Sequence, residues 1–340
     1  ATLDVKKEEA LVAVQTVKDT VFTHYLDIQG SVDTKENIII QPEYSGTLTS
    51  LTVKAGQKVA KGQILGRVDD AGMSQQLASA ENQYALAKTT FENILKRRDN
   101  TKGKYNKAFP GTRELRNFSL PMILSNLSIE IEHLLDKSLV NKLIEEVIDE
   151  VMNVFYQPEH GIIFENVNKD GSFSDSFEGR LLNPGHTIEA MWFMMDLGVR
   201  LNNTSLINKA IDIALKALEY GWDKKYGGIL YFLDFKGHPT QQLEWDQKLW
   251  WVHLEALVCM AKAWDLTGNP KAKMWFEKIH EYSWKHFRDN EYHEWFGYLN
   301  RQGEVLLNLK GGKWKGCFHV PRAMLQVYKT LEPKKSLELV

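Results

Sequence analysis

From residue 119 to the C-terminus the sequence repeats at intervals of about 66 residues, and this repetition restricts the fold more than any other feature. Glycine-centred turns stand at Asp170-Gly171, Lys236-Gly237 and Gln302-Gly303, each 66 residues after the last. An aromatic hairpin arm precedes each turn: Ile163-Phe164-Glu165-Asn166, Leu230-Tyr231-Phe232-Leu233 and Trp295-Phe296-Gly297-Tyr298-Leu299. Three histidines, His186, His253 and His319, keep phase with the turns at steps of 67 and 66 residues. A repeat of this kind is one supersecondary unit that cannot bury its own apolar face, so successive units must stack on one another.

Each unit reads as a hairpin followed by two helices. Leu139, Leu143, Val147, Met152 and Phe155 recur at close to helical spacing, and Ile207, Ile211, Ala214, Leu215 and Leu218 repeat the pattern one unit later, after Asn203-Thr204 as a cap. Apolar on one side only, these are outer helices. Met191–Met195, Leu254–Met260 and Ala323–Val327 are apolar nearly all round, as helices buried between neighbours must be. Pro121, Pro184 and Pro321 fall near first turns, where a missing N–H costs least. Inner helices are therefore expected at 119–135, 184–198, 246–266 and 316–330, with three outer helices between them. The expected fold class is mainly α: an incomplete α/α toroid of about seven helices with short β-hairpins, its in-phase histidines gathered near the starts of inner helices around one mouth.

The first ninety residues differ. Ile38-Ile39-Ile40, Gly46 to Val53 and Gly62 to Val68 alternate apolar and polar residues between glycines, a β pattern. Met73, Leu77, Ala80, Tyr84, Ala87, Phe91 and Ile94 then follow the heptad spacing of a coiled-coil helix. Through Pro42-Glu43-Tyr44-Ser45-Gly46, Val53-Lys54-Ala55-Gly56-Gln57-Lys58-Val59 and Lys61-Gly62-Gln63-Ile64-Leu65, this stretch resembles the periplasmic adaptor subunits of efflux pumps. The resemblance implies half of a lipoyl-like domain, an efflux transporter as partner and a division of the chain into 1–91 and 92–340.

Composition narrows the function. A net charge of −2, with no basic run beyond Lys96-Arg97-Arg98, argues against a nucleic-acid partner. Cys259 and Cys317 are spaced neither for a metal nor for a disulfide framework, which fits a reducing compartment. With no long apolar run and no signal pattern at Ala1 to Ala10, a cytoplasmic location is expected, although an initial Ala suggests that something upstream is absent.

Arg180-Leu181-Leu182-Asn183-Pro184-Gly185-His186-Thr187-Ile188-Glu189-Ala190, Lys248-Leu249-Trp250-Trp251-Val252-His253-Leu254-Glu255-Ala256 and Gly311-Gly312-Lys313-Trp314-Lys315-Gly316-Cys317-Phe318-His319-Val320-Pro321-Arg322 resemble the N-acylglucosamine 2-epimerase family in order, across residues 92–330. The resemblance implies a small sugar as ligand, His186 and His319 as the paired acid and base, and Glu189 and Glu255 as pocket carboxylates. Glu189, three residues after His186, would orient that ring or bind a sugar hydroxyl. Trp251 and Arg180 are expected to contact substrate, and His253 either to contact it or to serve as a structural hydrogen-bonding group. Inverting C2 of an open-chain sugar removes a weakly acidic proton beside the carbonyl and returns one to the opposite face. Two imidazoles suit this because one can accept while the other donates near neutrality. No cofactor and no metal is expected, and the Gly311 to Gly316 run is not a phosphate loop.

A complete toroid of that family has twelve helices, and about seven are counted here. An open arc would leave an apolar helix flank of several hundred Å2, worth on the order of 10 kcal/mol at about 25 cal/mol per Å2. Marginal stability or self-association into a homo-oligomer through that edge is the expectation. Two other readings stand beside the isomerase: an efflux-pump adaptor, and a fusion of two unrelated coding sequences without a function of its own.

Overall fold

The computed structural model describes residues 12–21, 23–31, 39, 46–69, 71–98 and 114–332. The chain divides into two compact units, Ala1–Ile94 and Leu95–Val340. In the first, β1 (Thr47–Leu51) pairs antiparallel with β2 (Gly66–Asp69), with an irregularity between Leu48 and Ser50. Gly56 and Gly62 take φ of 80° and 83°, a conformation that side chains with a Cβ disfavour, and so turn the intervening loop. The helix α1 (Ala71–Arg98) follows, with Leu77, Ala80 and Tyr84 of the heptad stripe exposed. Of the expected first strand only Ile39, which is in no strand, lies within the described residues.

The second unit begins with β3 (Leu115–Asn117) and carries seven α-helices among its described residues: α2 (Ser119–Glu130), α3 (Lys137–Asp149), α4 (Pro184–Arg200), α5 (Thr204–Gly221), α6 (Trp250–Thr267), α7 (Pro270–His286) and α8 (His319–Leu331). Their starts follow from local chemistry. Asp136, Asn203 and Asn269 cap α3, α5 and α7 through their side-chain oxygens, and Asn183 caps α4 ahead of Pro184 in the first turn. Gly268, at φ 66°, closes α6 in the left-handed conformation. The expected inner helix over 119–135 ends at Glu130 and gives way to a 3-10 turn, Glu132–Leu134.

Packing follows the inner and outer assignment. The helices α2, α4, α6 and α8 form a row in which each touches the next, and α3, α5 and α7 each pack against the inner helix before them. Burial runs around α4 and α6, including Trp192, Met194, Trp250 and Met260, whereas α3 and α5 bury one face. Phe118, Phe155, Phe164 and Phe287 complete the core.

Short strands join consecutive repeats. The strand leading into each inner helix pairs antiparallel with an arm from the next hairpin: β3 with β6 (Asn166–Asn168), β7 (Leu181–Leu182) with β8 (Leu233–Asp234), and β9 (Lys248–Leu249) with β10 (Tyr298–Leu299). A fourth pair, β4 (Tyr156–Gln157) with β5 (Ile162–Ile163), lies within one hairpin. The repeated turn glycines Gly171, Gly237 and Gly303 all have positive φ, at 86°, 75° and 90°. That geometry is why each repeat carries glycine there.

Between the last two repeats lies a buried charge node. Lys248, whose side chain is 0% exposed, donates to Asp223 Oδ2 at 3.1 Å and to the Arg301 carbonyl at 2.8 Å, and Arg301 Nε reaches the same Asp223 oxygen at 3.1 Å. Asp223 also accepts from the backbone N–H groups of Lys225 and Tyr226, fixing its own turn. Among the described residues no helix is long and apolar enough to cross a membrane.

Candidate active site

His186 is the third residue of α4 and His319 the first of α8, so both imidazoles stand at the starts of inner helices. Trp251, in the first turn of α6, lies between them, its ring 5.4 Å from that of His186 and 5.9 Å from that of His319, tilted by 35° to each. Gly185 makes this possible: a Cβ there would come within 2.7 Å of Trp251 Cη2 and 2.8 Å of Val252 Cγ2. Gly185→Ala is accordingly expected to displace Trp251 and destabilise the fold by roughly 1–3 kcal/mol, read from a lowered thermal midpoint together with altered tryptophan fluorescence.

Each histidine is anchored through Nδ1 to a carboxylate. His186 Nδ1 lies 3.0 Å from both Glu165 Oε1 and Oε2, and His319 Nδ1 lies 2.7 Å from Glu255 Oε1. An ionised carboxylate only accepts, so Nδ1 carries the proton in both rings and Nε2 remains for the reacting molecule. Side-chain exposures of 24% and 21% leave both rings partly open.

The two carboxylates live in different company. Glu255, fully buried, accepts from His319, from Arg322 Nη2 at 2.6 Å and from Trp192 Nε1 at 2.9 Å. These partners overcome the burial that would raise its pKa and hold it below the ordinary glutamate value. Arg322 also reaches Glu189 Oε1 at 3.0 Å and covers the rings of Phe318 and Trp192. Burial, and then repulsion from Glu255, push Glu189 up to about 7 against the pull of Arg322, His319 and His186. At His186 burial opposes the imidazolium, but Glu165 and then Glu189 outweigh it and hold the ring above its usual value.

Glu189, Glu255 and His319 bring ligand atoms within 4.8 Å of one another, a spacing compatible with a cation. Arg322 Nη2 already bridges the two carboxylates and supplies positive charge there.

Sequence reasoning expected His186, Glu189, Trp251, Glu255 and His319, and the fold brings these five together. Of the two roles expected for His253 the structural one holds, and the expectation for Arg180 is corrected. His253 is 0% exposed, its Nε2 accepts from the Ile229 N–H at 3.0 Å and its Nδ1 donates to the Leu249 carbonyl at 2.8 Å. It is a structural core histidine, stacked on Tyr282, and no substrate contact is open to it. Arg180 likewise spends its guanidinium on Asp234 Oδ2 at 3.0 Å and on Asp175, beside the hairpin.

Burial depresses His253 to about 3, so it folds neutral and has its ordinary affinity for protons only when unfolded. The unfolded state therefore binds more protons between pH 6.5 and about 3. The contribution is intact above pH 6.5 and declines by up to about 1.4 kcal/mol per pH unit as acid is added. In solution NMR the His253 ring should stay neutral down to pH 4.5 while the fold persists; a midpoint near 6.5 would contradict the placement.

Sequence reasoning gave no role to two residues at the site, Glu165 and Arg322. Arg322 follows His319 by three residues as Glu189 follows His186, and that shared phase was the available signal.

Comparison with known proteins places this geometry. The N-acylglucosamine 2-epimerase (GlcNAc 2-epimerase) family matches residues 66–323. The N-acylglucosamine 2-epimerase of Mus musculus is 44% identical over 169 residues, 49% of this chain and 40% of that protein. That of Rattus norvegicus is 38% identical over 221 residues, 63% and 52% of the two chains. The chain thus spans about half the length of the curated relatives it matches. The solved cellobiose 2-epimerase of Spirochaeta thermophila superposes with a TM-score of 0.57 at 20% identity, covering 73% of this chain and 64% of that one, which establishes the shared α/α toroid architecture. The match begins at the first residue of β2 and includes all of α1, a helix that the adaptor resemblance had largely claimed; the comparisons give that resemblance no support. With the match covering most of the chain, the chain belongs to the N-acylglucosamine 2-epimerase family.

Proposed function

We propose that this chain acts as a carbohydrate 2-epimerase on the open-chain form of an N-acylated hexosamine, interconverting the gluco and manno configurations at C2. The observation that carries the reading is the pair of imidazoles flanking Trp251, each with Nδ1 held by a carboxylate and Nε2 left free. One ring removes the proton beside the carbonyl and the other returns a proton to the opposite face. Arg322, held between Glu189 and Glu255, supplies positive charge close to where the enolate develops. The sugar class is taken from the relatives' names, which are N-acylglucosamine 2-epimerases. The activity resides in residues 92–340, where all of these groups lie.

The test is incubation of the folded protein with N-acetylglucosamine in D2O, followed by proton NMR. Deuterium entering C2 together with the appearance of the manno epimer is the expected result. Absence of exchange from protein shown to be folded would refute the reading. Conversion of D-mannose to a ketose instead would redirect it, since a C2 hydroxyl makes the intermediate an enediolate whose protonation at C1 is an aldose–ketose isomerisation; D-mannose isomerases appear among the relatives at 28% identity.

A further inference from the structure

We propose that Glu165 is a positioning residue that makes His186 the resting proton donor of the pair and leaves His319 as the resting acceptor. This inference rests on the two-histidine reading above and adds a direction to it.

The geometry is unequal at the two rings. Both oxygens of Glu165 lie at 3.0 Å from His186 Nδ1, and the carboxylate, 5% exposed as a residue, has no other side-chain hydrogen-bond partner among the described residues. Its full charge therefore faces one imidazole. Glu255 divides its charge among His319, the Arg322 guanidinium and the Trp192 indole. A carboxylate already neutralised by a guanidinium stabilises an adjacent imidazolium less than one that is not. The other groups facing His186 are Glu189 on its own helix, which adds negative charge, and the uncharged Trp251 ring on α6. His319 faces Glu189 and Glu255 but also Arg322, a cation three residues along its own helix.

Glu165 is also held in place. Its N–H donates to the Leu181 carbonyl at 3.2 Å, and its carbonyl accepts from the Phe118 N–H at 2.9 Å. The residue lies between β5 and β6, so two strand pairs fix its backbone while the carboxylate meets α4. Burial, with a smaller contribution from the Glu165 charge, disfavours ionisation of Tyr220 and Tyr231, so neither competes as an anion.

Protons balance as follows. His319 Nε2 takes the C2 proton, the C–H electron pair moves into the enolate, and the carbonyl oxygen gains charge. His186 then gives its Nε2 proton to C2 from the other face, and the electron pair returns to restore the carbonyl. The turnover ends with His319 charged and His186 neutral, and exchange with water restores both. The product proton at C2 thus comes from His186.

Two measurements test this. Isotope-detected NMR of the histidine rings in the intact protein should show His186 protonated at pH 7, with Glu165→Gln lowering its midpoint by at least about one pH unit, a tenfold loss of proton affinity. Glu165→Asp should recover part of the shift. In the Glu165→Gln variant, deuterium exchange at C2 should rise relative to epimer formation, because the enolate is reprotonated more often from the face that lost its proton. A general structural defect would slow both together. A neutral His186 at pH 7 in the unaltered protein, a midpoint unmoved by Glu165→Gln, or an unchanged exchange ratio would each overturn the inference. If the variant fails to fold, titration of the unaltered protein decides alone. Ring titrations as expected but no C2 exchange would overturn the donor role together with the isomerase reading, leaving only the Glu165 pairing.

Discussion

Replacing either His186 or His319 with Asn should reduce epimer formation by about 10^2- to 10^4-fold, the range typical of losing a positioned acid or base. The two losses should not multiply in the double variant, because the rings act in sequence on one enolate. Asn retains an amide that can still bond the Glu165 or Glu255 carboxylate, so the fold should survive with a thermal midpoint near that of the unaltered protein. Partial exchange without epimer formation is expected from the His186 variant, which keeps the proton acceptor. A His319 variant that retained full exchange would remove this ring from the chemistry.

Asp223→Ala should be among the most destabilising single changes in the second unit. The aspartate side chain is 2% exposed and accepts from both Lys248 and Arg301; without it the Lys248 ammonium is left in the interior with a single carbonyl. Burial already lowers the Lys248 pKa, a sign that the interior disfavours its charge. Breaking a buried pair by removing one partner costs about 3–5 kcal/mol, whereas replacing both partners by apolar residues is often neutral. Asp223→Ala should therefore lower the urea midpoint sharply, and Asp223→Leu combined with Lys248→Met should recover much of the loss. Equal destabilisation in the single and double variants would show that the turn bonds from Asp223 to Lys225 and Tyr226, and not the buried charge, carry the effect.

The toroid was readable because its signals are local and repeated. Gly171, Gly237 and Gly303 mark turns that need positive φ, and apolar phasing separated α4 and α6, buried all round, from the one-sided α3 and α5. Repeat phase fixes where a backbone lies but not which way a side chain points. Glu189 follows His186 and Arg322 follows His319 by three residues, but Glu255 follows His253 by two, so His253 is one residue, about 100° of rotation, out of register. That step carries His253 from the mouth into the core, a difference the spacing of 67 and 66 residues does not reveal. Glu165 was hidden for another reason. It sits in one of three similar aromatic arms, and its partner, 21 residues away, is reached only through strand pairing. Arg180 misled because a guanidinium in a matching motif was read as a sugar contact, whereas Asp175 and Asp234 already occupy it.

The α8 helix touches α6, yet Ala323 is its single buried residue, with Leu325 and Tyr328 more than half exposed. In a stack whose cohesion is chiefly between neighbours, so thinly buried a helix detaches first, and amide hydrogen exchange should find it opening at far lower free energy than α4 or α6. His319 rides on that helix while His186 sits on one of the most deeply held. The reacting pair is therefore split between a rigid half and a half that can lift away, and any molecule bridging the two would act as a clasp, slowing exchange along α8 well beyond the residues it touches.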